Sequence, residues 1–171
     1  MPRPQKSEYP EYFERYISLV KGESIAELIS NYNDNHINFI ESLPDEKANF
    51  AYAENKWTVK EALQHIVDTE RVFAYRVLAI SRGETQTLNG FDQDIYNDHS
   101  NAAHRAFDDV KEEFKAVRYA TNILLRSLSE TQLNRIGNIA DYQASTRAFA
   151  YNIYGHFIYH QIIFKERYLI G

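Results

Sequence analysis

Apolar residues recur at helical spacing in four stretches of the chain, and most of these stretches run into a residue that does not continue a helix, so few folds remain open. Ile25, Leu28, Ile29, Tyr32, Phe39, Ile40 and Leu43 form the first stripe, which Pro44 ends. Thr58-Val59-Lys60-Glu61 reads as a capping box opening a second helix, with Val59, Leu63, Ile66, Phe73 and Val77 as its stripe and Gly83 near its end. Phe107, Val110, Phe114, Val117, Thr121, Leu124 and Leu128 mark a third, and Phe149, Ile153, Ile163 and Ile170 a fourth. Between the second and third lies a long polar and aromatic connection, Glu84 to Asn101, and a short turn of helix is expected from Ser129 to Gly137. Helices of about 20 residues with one long crossover specify an all-α four-helix bundle, a fold that builds metal sites from side chains on facing helices. No repeat or linker divides the chain, so residues 1–171 are expected to form one domain.

Composition removes several classes of function. The chain has no cysteine, which leaves no disulfide, no thiolate ligand and no cysteine nucleophile; thiol chemistry would need sulfur from a cosubstrate. Its net charge of −5 and dispersed lysines and arginines lack the footprint of a binder of nucleic acid or anionic membranes. No apolar run follows Met1 to Lys6 or reaches bilayer length, so a soluble cytoplasmic protein is expected.

His156 and His160 stand four residues apart within the fourth stripe and therefore share a helix face. With His65 from the second helix they could make a site of three imidazoles, which holds a divalent metal and leaves a coordination position open. A histidine pair at this spacing also arises by chance, and from the residues alone both readings stand. The zincin pattern is absent, because Phe157, Ile158 and Tyr159 separate the two histidines. Three charged residues fall on inward stripes: Glu70, Arg118 and Arg167. A buried pair of Glu70 with Arg118 or Arg167 is the expected arrangement, since an unpaired buried charge is costly. His36 is expected as hydrogen-bonded core, and His99 and His104 as surface residues. Tyr12, Phe13 and Tyr16 could pack over the bundle end or form a dimer surface.

The segment Trp57 to Arg71, then Phe91-Asp92-Gln93-Asp94, then Gly155-His156-Phe157-Ile158-Tyr159-His160, resembles the DinB-like superfamily, also called the DinB/YfiT-like metalloenzymes. The likeness runs from about Tyr12 to Tyr168. It implies an up-down-down-up bundle, often a homodimer, with a divalent metal, commonly zinc or nickel, on His65, His156 and His160. It further implies group transfer with a low-molecular-weight thiol of the bacillithiol or mycothiol type, or alternatively metal-dependent hydrolysis. For hydrolysis, Asp68, Glu61 or Glu70 could serve as base or as a partner to a ligand, though a structural or solvated role is the first expectation for each. A non-catalytic dimeric bundle is the remaining alternative. Relatives often carry a glutamate and a further histidine where this chain has Phe157 and Tyr159.

Overall fold

A computed structural model describes residues 3–170. After two short 3-10 turns come α1 (Glu14–Ile17), α2 (Ile25–Glu41), α3 (Val59–Ser81), α4 (Gln93–His99), α5 (Phe107–Arg126) and α6 (Glu130–Leu133). A two-stranded antiparallel hairpin, β1 (Ile136–Ile139) and β2 (Tyr142–Ser145), then leads into α7 (Thr146–Glu166). The four long helices α2, α3, α5 and α7 form the bundle, and their starts follow local chemistry. Ser24 Oγ accepts from Glu27 N at 3.1 Å to open α2. The Thr58 box forms as expected: Thr58 Oγ1 accepts from Glu61 N at 3.2 Å and Glu61 Oε2 from Thr58 N at 2.8 Å. Ser145 Oγ accepts from Ala148 N at 3.1 Å to open α7.

Cross-helix contacts give the directions. Gln64 meets Arg105 just before α5, and seven residues on Arg71 pairs with Glu113, so α3 and α5 run parallel. Asn33 meets Asn122 and Lys115 meets Glu41, so α2 opposes α5. His65 lies against His160 and Phe73 against Phe149, so α7 opposes α3. This is the up-down-down-up order, and two parallel neighbours consecutive in the bundle require the long return between α3 and α5. That return is not featureless: Asp92 Oδ1 accepts from Asp94 N at 2.9 Å and Ile95 N at 3.1 Å, starting α4.

The core is two apolar clusters with a polar storey between them. One cluster gathers Phe13, Phe73, Phe149 and Ile153; the other gathers Phe39, Leu63, Phe114 and Phe164. Between them sit His36, His65, Glu70, Arg118, Asn152 and His156, all buried. Arg118, with no exposed surface, holds Glu70 through two bonds of 2.8 and 2.7 Å and reaches His36 Nδ1 with a third N–H at 2.7 Å. Burial and the adjacent guanidinium keep His36 well below the usual histidine range, so it is neutral and accepts that proton.

Two expectations need correction. Arg167 is exposed, because α7 ends at Glu166 and Arg167 lies outside the regular helix, so among the described residues Arg118 alone partners Glu70. The helical turn after Ser129 ends at Leu133, and Gly137 belongs to β1 instead, where a Cβ would meet the Ile80 side chain at 2.4 Å.

Gly155 carries a second close approach: a Cβ there would lie 2.2 Å from the carbonyl oxygen of Tyr16. Glycine in mid-helix is unfavourable by itself, and here it lets the N-terminal segment dock directly on α7. Gly155→Ala should therefore destabilise by about 1–3 kcal/mol despite alanine's better helix propensity, read as a lower urea midpoint. Glu70→Ala leaves a buried guanidinium unpaired and should cost about 3–5 kcal/mol by the same measurement. An unchanged midpoint in either variant contradicts the packing described.

Candidate metal centre

The polar storey opens to solvent on one side, between α3, α7 and the N-terminal segment. Stepping along α3 by helical turns from His65 gives Thr69, then Phe73 and Arg76, on one face; stepping along α7 gives Asn152, His156 and His160. Because α3 and α7 are antiparallel, the two rows face each other and the three imidazoles converge. His65 Nε2 lies 3.2 Å from His156 Nε2, and one ligand atom from each histidine lies within 4.8 Å of the others. Ring centroids are 5.1 Å apart for His65 and His156, 4.9 Å for His65 and His160, and 4.5 Å for His156 and His160.

This donor set suits a divalent ion. Two nitrogens each about 2.0–2.1 Å from a shared zinc stand roughly 3 Å apart, close to the spacing of the first pair. His65 and His156 are buried and His160 is half-buried. Burial pushes His65 down to about 4, and burial with the nearby His65 pushes His160 down to about 3. Burial and both neighbours hold His156 well below the usual range. The imidazoles are thus neutral near pH 7, the state in which they can ligate. His65 Nδ1 lies 3.4 Å from Thr69 Oγ1, a contact that helps fix the ring.

Aromatic rings wall the cluster. Trp57 lies 4.8 Å from His65 between centroids, and Tyr16 lies edge-on to His156 at 5.5 Å and to Tyr159 at 5.3 Å. Phe13 is buried and Tyr16 half-buried against the site, while Tyr12 is about half exposed. A cleft of about 510 Å³ runs from His65 and His156 past Phe73 to Arg76, with Gln93 and Asp94 of α4 on its rim. A smaller one of about 260 Å³ reaches His160 beneath the same two rim residues.

The three carboxylates considered as bases are committed elsewhere. Glu61 closes the capping box, Glu70 is held by Arg118, and Asp68 accepts from Gln64 Nε2 at 3.0 Å on the side facing α5. Burial raises the Asp68 pKa, but the histidine cluster contains no carboxylate among the described residues. Phe157 points to the opposite side of α7, stacked on His36 at 3.9 Å. His99 and His104 are exposed. Sequence reading missed Tyr16, Thr69, Arg76 and Asn152 as neighbours of the site. Helical stepping from the histidines reaches the last three; Tyr16 lies on a segment whose docking no periodicity encodes.

Comparison with known proteins adds three structures and a family. The family model described as the DinB superfamily matches residues 33–163. The structure of YfiT from Bacillus subtilis, described as a probable metal-dependent hydrolase with an unusual four-helix bundle topology, is similar with a TM-score of 0.67 and 17% identity, covering 99% of this chain and 94% of that one. A DinB-like protein, YjoA, from Bacillus subtilis gives a TM-score of 0.56 and 19% identity, over 80% of this chain and 82% of that one. A mycothiol-dependent maleylpyruvate isomerase gives a TM-score of 0.59 and 10% identity; the match spans 85% of this chain but 59% of the isomerase. No curated protein matches the sequence. These likenesses show the fold.

The depressed imidazoles set a pH dependence. Unfolded histidines take up protons near pH 6.5, whereas His65 does so near 4 in the fold. Between these values the unfolded state binds more protons, so the metal-free protein should lose stability as pH falls from about 6.5 to 4, with His36 and His156 adding to the loss. Urea midpoints at pH 7 and pH 5 test this; equal values at both would contradict the burial described.

Proposed function

The chain belongs to the DinB superfamily, and from that premise we propose that it holds one divalent metal ion on His65, His156 and His160 and transfers a group between small molecules with a low-molecular-weight thiol. Zinc and nickel both suit three imidazole donors. The observation that carries the reading is the convergence of three neutral imidazoles, two buried and one half-buried, in a cluster free of carboxylates among the described residues. A divalent ion there supplies a Lewis acid that holds a coordinating thiol deprotonated. The chain's own groups then have limited tasks: Thr69 steadies His65, Tyr16 and Trp57 exclude water, and the cleft beside Phe73 receives the reactant. With no cysteine in the chain, the sulfur must come from outside.

Metal-dependent hydrolysis is the second reading, favoured by the likeness to YfiT. It needs a proton acceptor beside the reacting water, and Glu61, Glu70 and Asp68 are each bound elsewhere. A non-catalytic bundle is less well supported, since Phe13 and Tyr16 cover the cleft. The homodimer expected from the resemblance has a candidate face in Tyr75, Leu78, Tyr119 and Ile123, exposed apolar residues of α3 and α5. No helix among the described residues is long and apolar enough to cross a membrane, which accords with a role in the cytoplasm.

Elemental analysis after dialysis against a mild chelator should find one metal per chain, and far less in each of His65→Ala, His156→Ala and His160→Ala. Wild-type metal content in all three variants would refute the assignment. Cobalt-substituted protein should gain a sulfur charge-transfer band when titrated with 2-mercaptoethanol. Ester cleavage without thiol, and no such band, would favour the hydrolase.

A further inference from the structure

Arg76 is the other buried guanidinium of the bundle, 3% exposed, and it is treated differently from Arg118. Arg118, Arg147 and Arg105 are each paired with a glutamate, but Arg76 pairs with no carboxylate among the described residues. Its contacts are neutral: the Tyr142 hydroxyl at 3.3 Å, the Asn89 carbonyl at 3.0 Å, and the rings of Phe73, Phe91 and Phe149, each centred 5.7 Å from Cζ. Burial pulls its pKa below the usual arginine value, yet a guanidinium remains charged. It carries five N–H donors, and the two contacts above leave the others without an acceptor among the described residues.

Asn152 is a second anomaly in the same cleft. It has no exposed surface, and neither its Oδ1 nor its Nδ2 has a hydrogen-bond partner among the described residues. An unpaired buried polar atom is unfavourable, and Asn152 carries two of them beside the cleft. Asn152 stands one turn before His156 on α7. Phe73 spans the interval between Arg76 and the histidines, its centroid 6.0 Å from the His156 ring. The cleft's volume of about 510 Å³ falls within the range of small-molecule pockets. Asp94 and Asp141 also line it but are exposed, and Asp92 is occupied in capping α4.

We propose that this end of the cleft is an anion subsite, in which Arg76 and Asn152 receive the carboxylate of the substrate while its reacting end lies at His65, His156 and His160. The substrate class is a carboxylic acid with a flat or apolar body, which the aromatic walls accommodate. The reacting end rests on the metal reading above; the subsite itself does not.

The test is calorimetric titration of the full chain, zinc-loaded and metal-free, with 3-phenylpropanoate and its neutral analogue 3-phenylpropanamide. The acid should bind about tenfold or more tightly than the amide in both forms, and Arg76→Gln should abolish that preference. Asn152→Leu removes two unpaired polar atoms, so it should hold or raise the thermal midpoint while weakening acid binding. Equal affinity for acid and amide, or no binding of the acid, overturns the proposal. So does a preference that survives Arg76→Gln or appears only with zinc, since the carboxylate would then sit on the metal. Should Arg76→Gln not fold, unchanged acid affinity in Asn152→Leu overturns it. An acid preference that depends on Arg76, in protein whose metal content ignores the histidine substitutions, retains the subsite and retires the metal reading.

Discussion

A guanidinium with no access to water must be neutralised by its neighbours, and at Arg118 this requirement joins three helices at one height. Glu70 of α3 supplies the charge and His36 of α2 the additional acceptor, both on an arginine of α5. A bidentate carboxylate pair tolerates little sliding, so α3 and α5 are held side by side in one parallel register. Parallel neighbours cannot be joined by a tight turn. The chain therefore crosses the bundle through Glu84 to Asn101, and that crossing brings Gln93 and Asp94 to the rim of the histidine cleft.

The same storey that contains the ion pair contains the histidines, and its burial determines their chemistry. Apolar clusters above and below exclude water, so imidazoles between them stay neutral and keep their lone pairs available. The roof is the N-terminal segment, which reaches α7 only because Gly155 presents no side chain to Tyr16. Fold and site thus share their constraints: the groups that fix helix order also define where a ligand can enter.

Much of this was legible in the sequence because it is periodic. The four stripes and the Thr58 box gave the long helices, and the four-residue step placed His156 and His160 together. Glu70 and Arg118 stood out as charges on apolar faces, which pointed to a pair. Arg167 misled for the opposite reason: an angular projection continues past a helix end that only the backbone of α7 reveals. The β1–β2 hairpin was invisible, since strands of four residues barely show alternation, and Gly137 serves there by fitting over Ile80 rather than by ending a helix. Arg76 and Asn152 share faces with His65 and His156, but their lack of partners is a property of the folded chain alone.

Crystals of the protein grown with zinc and measured at the zinc absorption edge test the central claim most directly. One anomalous peak should lie between α3 and α7, about 2.0–2.1 Å from a nitrogen of each of His65, His156 and His160, with a coordination position left to solvent or ligand. A peak bound by other residues, or an empty cluster at saturating zinc, would contradict it.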